Sequence, residues 1–142
     1  MSASKQSFEG GCLCGAVRYR VTGKPRWVVH CHCQSCRRQS GSPMTTFVGV
    51  DSDALTFEAA KPWRYESSPN VWRSFCPRCG SAIAYEAARF PDEVHLYLGS
   101  LDRPQDFPPQ AHVYVAEQIA WLHIADELPR YATTSRDGPP LQ

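Results

Sequence analysis

Phe75-Cys76-Pro77-Arg78-Cys79-Gly80-Ser81-Ala82-Ile83-Ala84-Tyr85 decides how this chain is read. Two cysteines with two residues between them suit either a redox pair or a metal-binding knuckle, and the residues that follow discriminate. A redox pair lowers a thiol pKa at a helix N-terminus. Here a glycine follows the second cysteine and Ser81 to Tyr85 reads as a turn into a strand, so no helix dipole is at hand. Gly80 suits a knuckle in which the backbone turns tightly and points amides at sulfur. The stretch is therefore a metal-binding turn between two strands, Val71 to Phe75 and Ser81 to Tyr85.

Outward from the knuckle the pattern stays β. Ala16 to Val21 alternates, with Val17, Tyr19 and Val21 on one face and Arg18 and Arg20 on the other. Trp27 to His30, Met44 to Val50, Ala54 to Phe57, Trp63 to Tyr65, Val94 to Leu98 and Ala111 to Val115 add β-branched or aromatic runs between turn residues. Helix is minor: one turn at Ser35 to Arg38 and a weak signal over Glu117 to Trp121. Leu101 to Gln110 carries three prolines and reads as an irregular loop. Arg130 to Gln142, rich in Thr, Gly and Pro, reads as a tail with little to bury. The expected class is all-β, mainly antiparallel, with Trp27, Trp63, Trp72 and Trp121 in the core or on a sheet face.

A length of 142 residues fits one domain, since a second core would leave each half too small. Hydrophobic residues at 42% and charged residues at 20% exclude a disordered or membrane-spanning chain. Fifteen basic against fourteen acidic residues leave +1, which argues against a nucleic-acid or anionic-membrane surface. Met1 to Phe8 holds no apolar run of the signal-peptide kind, so a reducing cytoplasm is the expected compartment. Clustered thiols there are metal ligands or reactive groups rather than disulfides.

The seven cysteines fall into three groups: Cys12-Leu13-Cys14, Cys31-His32-Cys33-Gln34-Ser35-Cys36, and Cys76 with Cys79. An odd count cannot pair completely. Four plus three is the natural split, because a closed structural zinc takes four protein ligands and a catalytic one takes three and keeps an open position. Either Cys12, Cys14, Cys31 and Cys33 make the four, or the first and last pairs combine and Cys31, Cys33 and Cys36 stand as a tripod. His30 and His32 flank Cys31, but on an extended segment they face away from it, which suits packing or hydrogen bonding. Glu86 is a further ligand candidate beyond the knuckle strand.

Gly10-Gly11-Cys12-Leu13-Cys14-Gly15-Ala16-Val17-Arg18-Tyr19, Cys31-His32-Cys33-Gln34-Ser35-Cys36-Arg37-Arg38-Gln39-Ser40-Gly41-Ser42-Pro43 and Phe75-Cys76-Pro77-Arg78-Cys79-Gly80 together resemble the glutathione-dependent formaldehyde-activating family, which is shared with the centromere protein V zinc domain. The resemblance runs from about residue 8 to 131, with 132–142 as a C-terminal tail of a single domain over 1–142. It implies a zinc fold of the β-tent type with two zinc ions. One would be structural at Cys12, Cys14, Cys76 and Cys79, and the second would sit at Cys31, Cys33 and Cys36. The activity implied is that of a carbon-sulfur lyase, forming or cleaving the adduct of formaldehyde with a small thiol such as glutathione, S-hydroxymethylglutathione. Arg37 and Arg38 match basic residues of the family motif and would orient a substrate carboxylate; Ser40, Gly41 and Ser42 would form a donor turn, and His112 sits where the family often has histidine. The alternative is a non-catalytic binding module, since three cysteinates already neutralise the dication and blunt its acidity.

Overall fold

In the computed structural model residues 6–142 are described, so the leader reading of Met1 to Phe8 lies largely outside the described residues. The order is β1 (Ser7–Gly11), β2 (Arg18–Thr22), β3 (Trp27–Cys31), α1 (Gln34–Ser40), β4 (Thr45–Asp51), β5 (Leu55–Phe57), β6 (Trp63–Ser68), β7 (Val71–Phe75), β8 (Ala82–Ala87), β9 (Glu93–Tyr97) and β10 (Ala111–Val113). They build a three-stranded sheet, β1-β2-β5, and a seven-stranded sheet, β10-β3-β4-β9-β8-β7-β6. The class is all-β with one short helix. All pairings are antiparallel except β10 on β3, a parallel pair with Ala111 opposite Val29 and Val113 opposite Cys31.

Period-two alternation sorts the large sheet into two faces. Val28, Val48, Val50, Val94 and Leu96 turn one way and pack with Val17, just before β2, and with Tyr19 and Val21 on the small sheet, all buried. Each such side chain contributes about 1.5–3 kcal/mol by leaving water. Cys31, Phe47 and Tyr97 turn the other way into a second cluster, with Trp27, Val29 and Tyr85 partly buried against it. Across that face Gly49 pairs with His95, His95 with Tyr85, and Tyr85 with Arg73. Gly49 has to be glycine, because a Cβ there would fall inside the Trp27 indole.

Several expectations are corrected. β1 carries no strand signal in the sequence, because Gly10 and Gly11 depress it; a Cβ on Gly10 would come within 2.5 Å of the Ser100 carbonyl oxygen. Glu117 to Trp121 is no helix: a short 3-10 turn covers Val115–Glu117 and the chain then runs irregularly. Trp121, 69% exposed on an outer loop, is neither in the core nor on a sheet face, whereas Trp63, 64% exposed, sits on edge strand β6 as a sheet-face residue. The end of the chain is tied down, since Tyr131 N–H donates to His112 O and Tyr114 N–H to Thr133 O. No helix among the described residues is long and apolar enough to cross a membrane.

Candidate functional site

The turn between β1 and β2 and the knuckle between β7 and β8 bring Cys12, Cys14, Cys76 and Cys79 together. Sulfur separations of 3.6 Å for Cys12 and Cys14 and 3.8 Å for Cys14 and Cys76 fit a tetrahedron. Zinc–sulfur bonds of about 2.3 Å place tetrahedral sulfurs about 3.8 Å apart. Amides point at the sulfurs as the knuckle reading requires: Val17 N–H donates to Cys12 Sγ, and Arg78 and Cys79 N–H donate to Cys76 Sγ. Hydrogen bonds from the Ser81 hydroxyl and amide lower the Cys79 thiol to about 5. Gly80, at φ 79°, makes the left-handed turn that closes the knuckle.

Cys31, Cys33 and Cys36 form a second group, from the end of β3 to the first turn of α1. Cys33 caps the helix, its sulfur accepting from Cys36 N–H. Ser40 hydroxyl donates to Cys36 O, and Gly41 at φ 75° ends the helix. Cys36 Sγ lies 2.9 Å from Cys33 Sγ and 4.0 Å from Cys31 Sγ. Hydrogen bonds from the Cys31 and Cys36 thiols pull Cys33 down to about 3 against burial, aided by the Cys36 amide and the Arg73 charge. Hydrogen bonding to Cys33 and Cys36, together with burial, pushes Cys31 far up. Sulfurs this close do not all ionise without a cation, and a thiolate trio could hold a metal ion with one position open. The Cys33–Cys36 pair would then have to separate to about 3.8 Å.

The tripod opens onto a cavity of about 380 Å³ between the outer face of the large sheet and the end of the chain. Trp27, Phe47, Tyr85 and Phe90 supply aromatic walls. Arg73, buried on β7, places Nη1 3.6 Å from Cys36 Sγ and its guanidinium 5.0 Å over the Tyr85 ring. Farther along, His95 Nε2 bonds Glu93 Oε2 at 3.0 Å, and Arg26 and Arg136 both donate to Glu93 Oε1. Burial opposes ionisation of Glu93, but the bonds from His95, Arg136 and Arg26 prevail and hold it at about 2. Arg37 and Arg38 do not line this cavity. Arg37 Nη1 donates to His32 O and Glu117 O, tying α1 to the Val115–Glu117 turn, and Arg38 is exposed. Arg73 lies three residues before Cys76 but reaches the other cysteine group, a tertiary contact, and Arg136 is far from any cysteine in sequence, so spacing carries no signal for either role.

The flanking histidines face the other way, as alternation requires. His30 Nδ1 bonds Thr46 Oγ1 at 2.8 Å. Asp126 Oδ2 accepts from His112 Nε2 at 2.8 Å, and His112 Nδ1 lies 2.9 Å from His32 Nε2. With a proton on His112 Nε2, its Nδ1 accepts from His32 Nε2–H; His32 Nδ1 then keeps a buried lone pair without a partner. Glu86 pairs with Arg64, and neither metal-capable cysteine group includes it.

Comparison with known proteins adds four findings. The family model described as glutathione-dependent formaldehyde-activating enzyme matches residues 7–117. A Halomonas elongata protein, provisionally named a glutathione-dependent formaldehyde-activating enzyme, is 32% identical over 82% of this chain and 80% of its own length. An uncharacterised lyase of Schizosaccharomyces pombe is 29% identical over 64% of this chain and 67% of its own. Among solved structures, a Rhodobacter sphaeroides protein shares the fold at TM-score 0.55 and 20% identity, over 69% of this chain and 93% of that one.

Proposed function

The chain belongs to the glutathione-dependent formaldehyde-activating family, and from that premise we propose that its tripod cavity joins a small thiol to an aldehyde, or cleaves the adduct, as a carbon-sulfur lyase. The observation that carries the proposal is the opening of Cys31, Cys33 and Cys36 onto a walled cavity of about 380 Å³. The Cys12, Cys14, Cys76, Cys79 group has donors enough to close its own shell and serves as the structural site. Glutathione and formaldehyde are the substrates the family membership favours. The thiol-rich clusters fit a reducing cytoplasm.

The reaction balances without oxidant or reductant. The thiol sulfur bonds to the carbonyl carbon, the C=O π pair moves to oxygen, and the proton given up by the thiol ends on that oxygen. Zinc held by Cys31, Cys33 and Cys36 would stabilise the thiolate form of the incoming thiol near neutral pH. Arg73 faces the reacting end of the cavity, where its fixed charge favours a thiolate and the developing alkoxide. Substrate orientation therefore falls to Arg73, while Arg37 holds α1 in place through the two carbonyls it binds. The aromatic walls lower the local dielectric and strengthen these charge interactions.

The test is hemithioacetal formation from glutathione and formaldehyde, followed by proton exchange spectroscopy on the zinc-loaded protein. Acceleration over the spontaneous reaction supports the proposal. No acceleration across several thiols and aldehydes rejects it.

A further inference from the structure

Residues Thr134, Ser135 and Arg136 form one wall of the tripod cavity, although the segment that carries them lies beyond residue 117, where the family match ends. This wall is fixed rather than draped. Tyr114 N–H donates to Thr133 O at 3.0 Å, Thr133 Oγ1 donates to Asp137 at 2.9 Å, and Asp137 pairs with Arg89. Arg136 Nη2 donates to Glu93 Oε1 at 2.6 Å, and its guanidinium lies 4.8 Å over the Phe90 ring.

We propose that Arg136, aimed by Glu93 and Phe90, is the anchor for a carboxylate at the end of the thiol substrate remote from its sulfur. Glu93 is 3% exposed whereas Arg136 is 52% exposed, so the acid is spent on holding the arginine while the arginine keeps its remaining N–H groups for a ligand. Among the described residues, Nη2 carries the hydrogen bond of the Arg136 head. Arg26 divides its guanidinium between Glu93 and Asp51, so the two arginines are matched by two carboxylates, and what Arg136 offers a ligand is its N–H groups on the cavity side. Burial lowers the pKa of His95, which adds no charge near neutral pH. The other carboxylate lining the cavity, Glu117, accepts from Gln34 N–H.

Position supports the same ligand. Cys31 pairs with Thr45 and Glu93 with Asp51, so the tripod and the anchor sit at opposite ends of β4. Six residues of strand separate the two backbones by on the order of 20 Å, and side chains at both ends line the same cavity. A ligand that meets Arg136 with its sulfur at the tripod is therefore elongated, at least as long as the about 10 Å of an extended tripeptide; a two-carbon thiol engages the tripod alone. Arg73 lines the same cavity beside Cys36, at the tripod end. The anchor makes the cavity selective for elongated, carboxylate-bearing thiols, and it rests on the thiol reading of the cavity given above.

The experiment compares zinc-loaded wild type, Arg136→Gln and Arg26→Gln for binding and turnover of glutathione and of 2-mercaptoethanol, which has no carboxylate. Arg26 bonds Glu93 and Asp51 but does not line the cavity, so its variant reports loss of a Glu93 partner without loss of a cavity-facing N–H group. Arg136→Gln is expected to weaken glutathione binding and raise its KM about ten-fold or more, leaving kcat and both 2-mercaptoethanol constants within two-fold. Arg26→Gln should leave the preference between the two thiols unchanged. Equal glutathione affinity in Arg136→Gln and wild type overturns the anchor, as does an equal loss in both variants or an equal loss for both thiols. Wild type that binds neither thiol overturns the thiol reading itself, and the anchor with it.

Discussion

Arg73 and Glu93 show how single side chains set the chemistry of the cavity. Arg73 is buried, stacked on Tyr85 and 3.6 Å from Cys36 Sγ, so its charge acts where water does not screen it. Arg73→Gln keeps a polar group but loses the charge, and we expect thiol–aldehyde exchange to slow about ten-fold or more, measured at saturating thiol. Glu93 makes a pH prediction whose sign is fixed. Its folded pKa of about 2 lies below the ordinary 4.5, so ionised Glu93 stabilises the fold in full above about pH 4.5. That contribution fades as the pH falls toward 2. Glu93→Gln should cost about 2 kcal/mol at pH 7, read from urea unfolding, and the gap to wild type should close between pH 4.5 and 2. A gap that widens on acidification contradicts the assignment.

Strands and turns carry the next layer, and here the sequence was unevenly legible. The knuckle was readable because glycine after Cys79 and the alternation beyond it are local signals. β1 was not, because its Gly10 is placed by the close approach of Tyr19 and Ser100, a tertiary fact. The 130–137 wall was hidden too, since a Thr, Gly and Pro composition looks the same in a tail and in a segment pinned by backbone bonds to β10. Within β4, Gly49→Ala would push Trp27 out of the cavity wall. We expect about 1–3 kcal/mol of destabilisation by thermal or urea melting, with quenching of the Trp27 fluorescence environment changed. The loop bearing Asp126 braces the tripod segment through His112 and His32. Asp126→Ala strands the buried His112 N–H and should cost about 1–3 kcal/mol in the same assay.

At the scale of the whole molecule the two cysteine groups divide the labour. With an ion bound, the four-cysteine group would tie the first hairpin to the β7–β8 turn, across a sequence separation of more than sixty residues, and so would restrain the unfolded chain most. The tripod spans only the end of β3 to α1, a local link, and we expect both sheets to stay paired when it is lost. Sequence spacing allowed two divisions of the seven cysteines, and topology selects between them: β7 and β8 bring their knuckle to the first hairpin, while α1 keeps Cys36 beside Cys31 and Cys33. The most direct measurement is a stepwise chelator titration of the zinc-loaded protein, following bound zinc, circular dichroism and glutathione–formaldehyde exchange in the same samples. The account predicts that catalysis disappears with the first ion while the β signal persists, and that the chain unfolds only with the second. Loss of the fold with the first ion, or exchange that continues undiminished after that ion has gone, would contradict it.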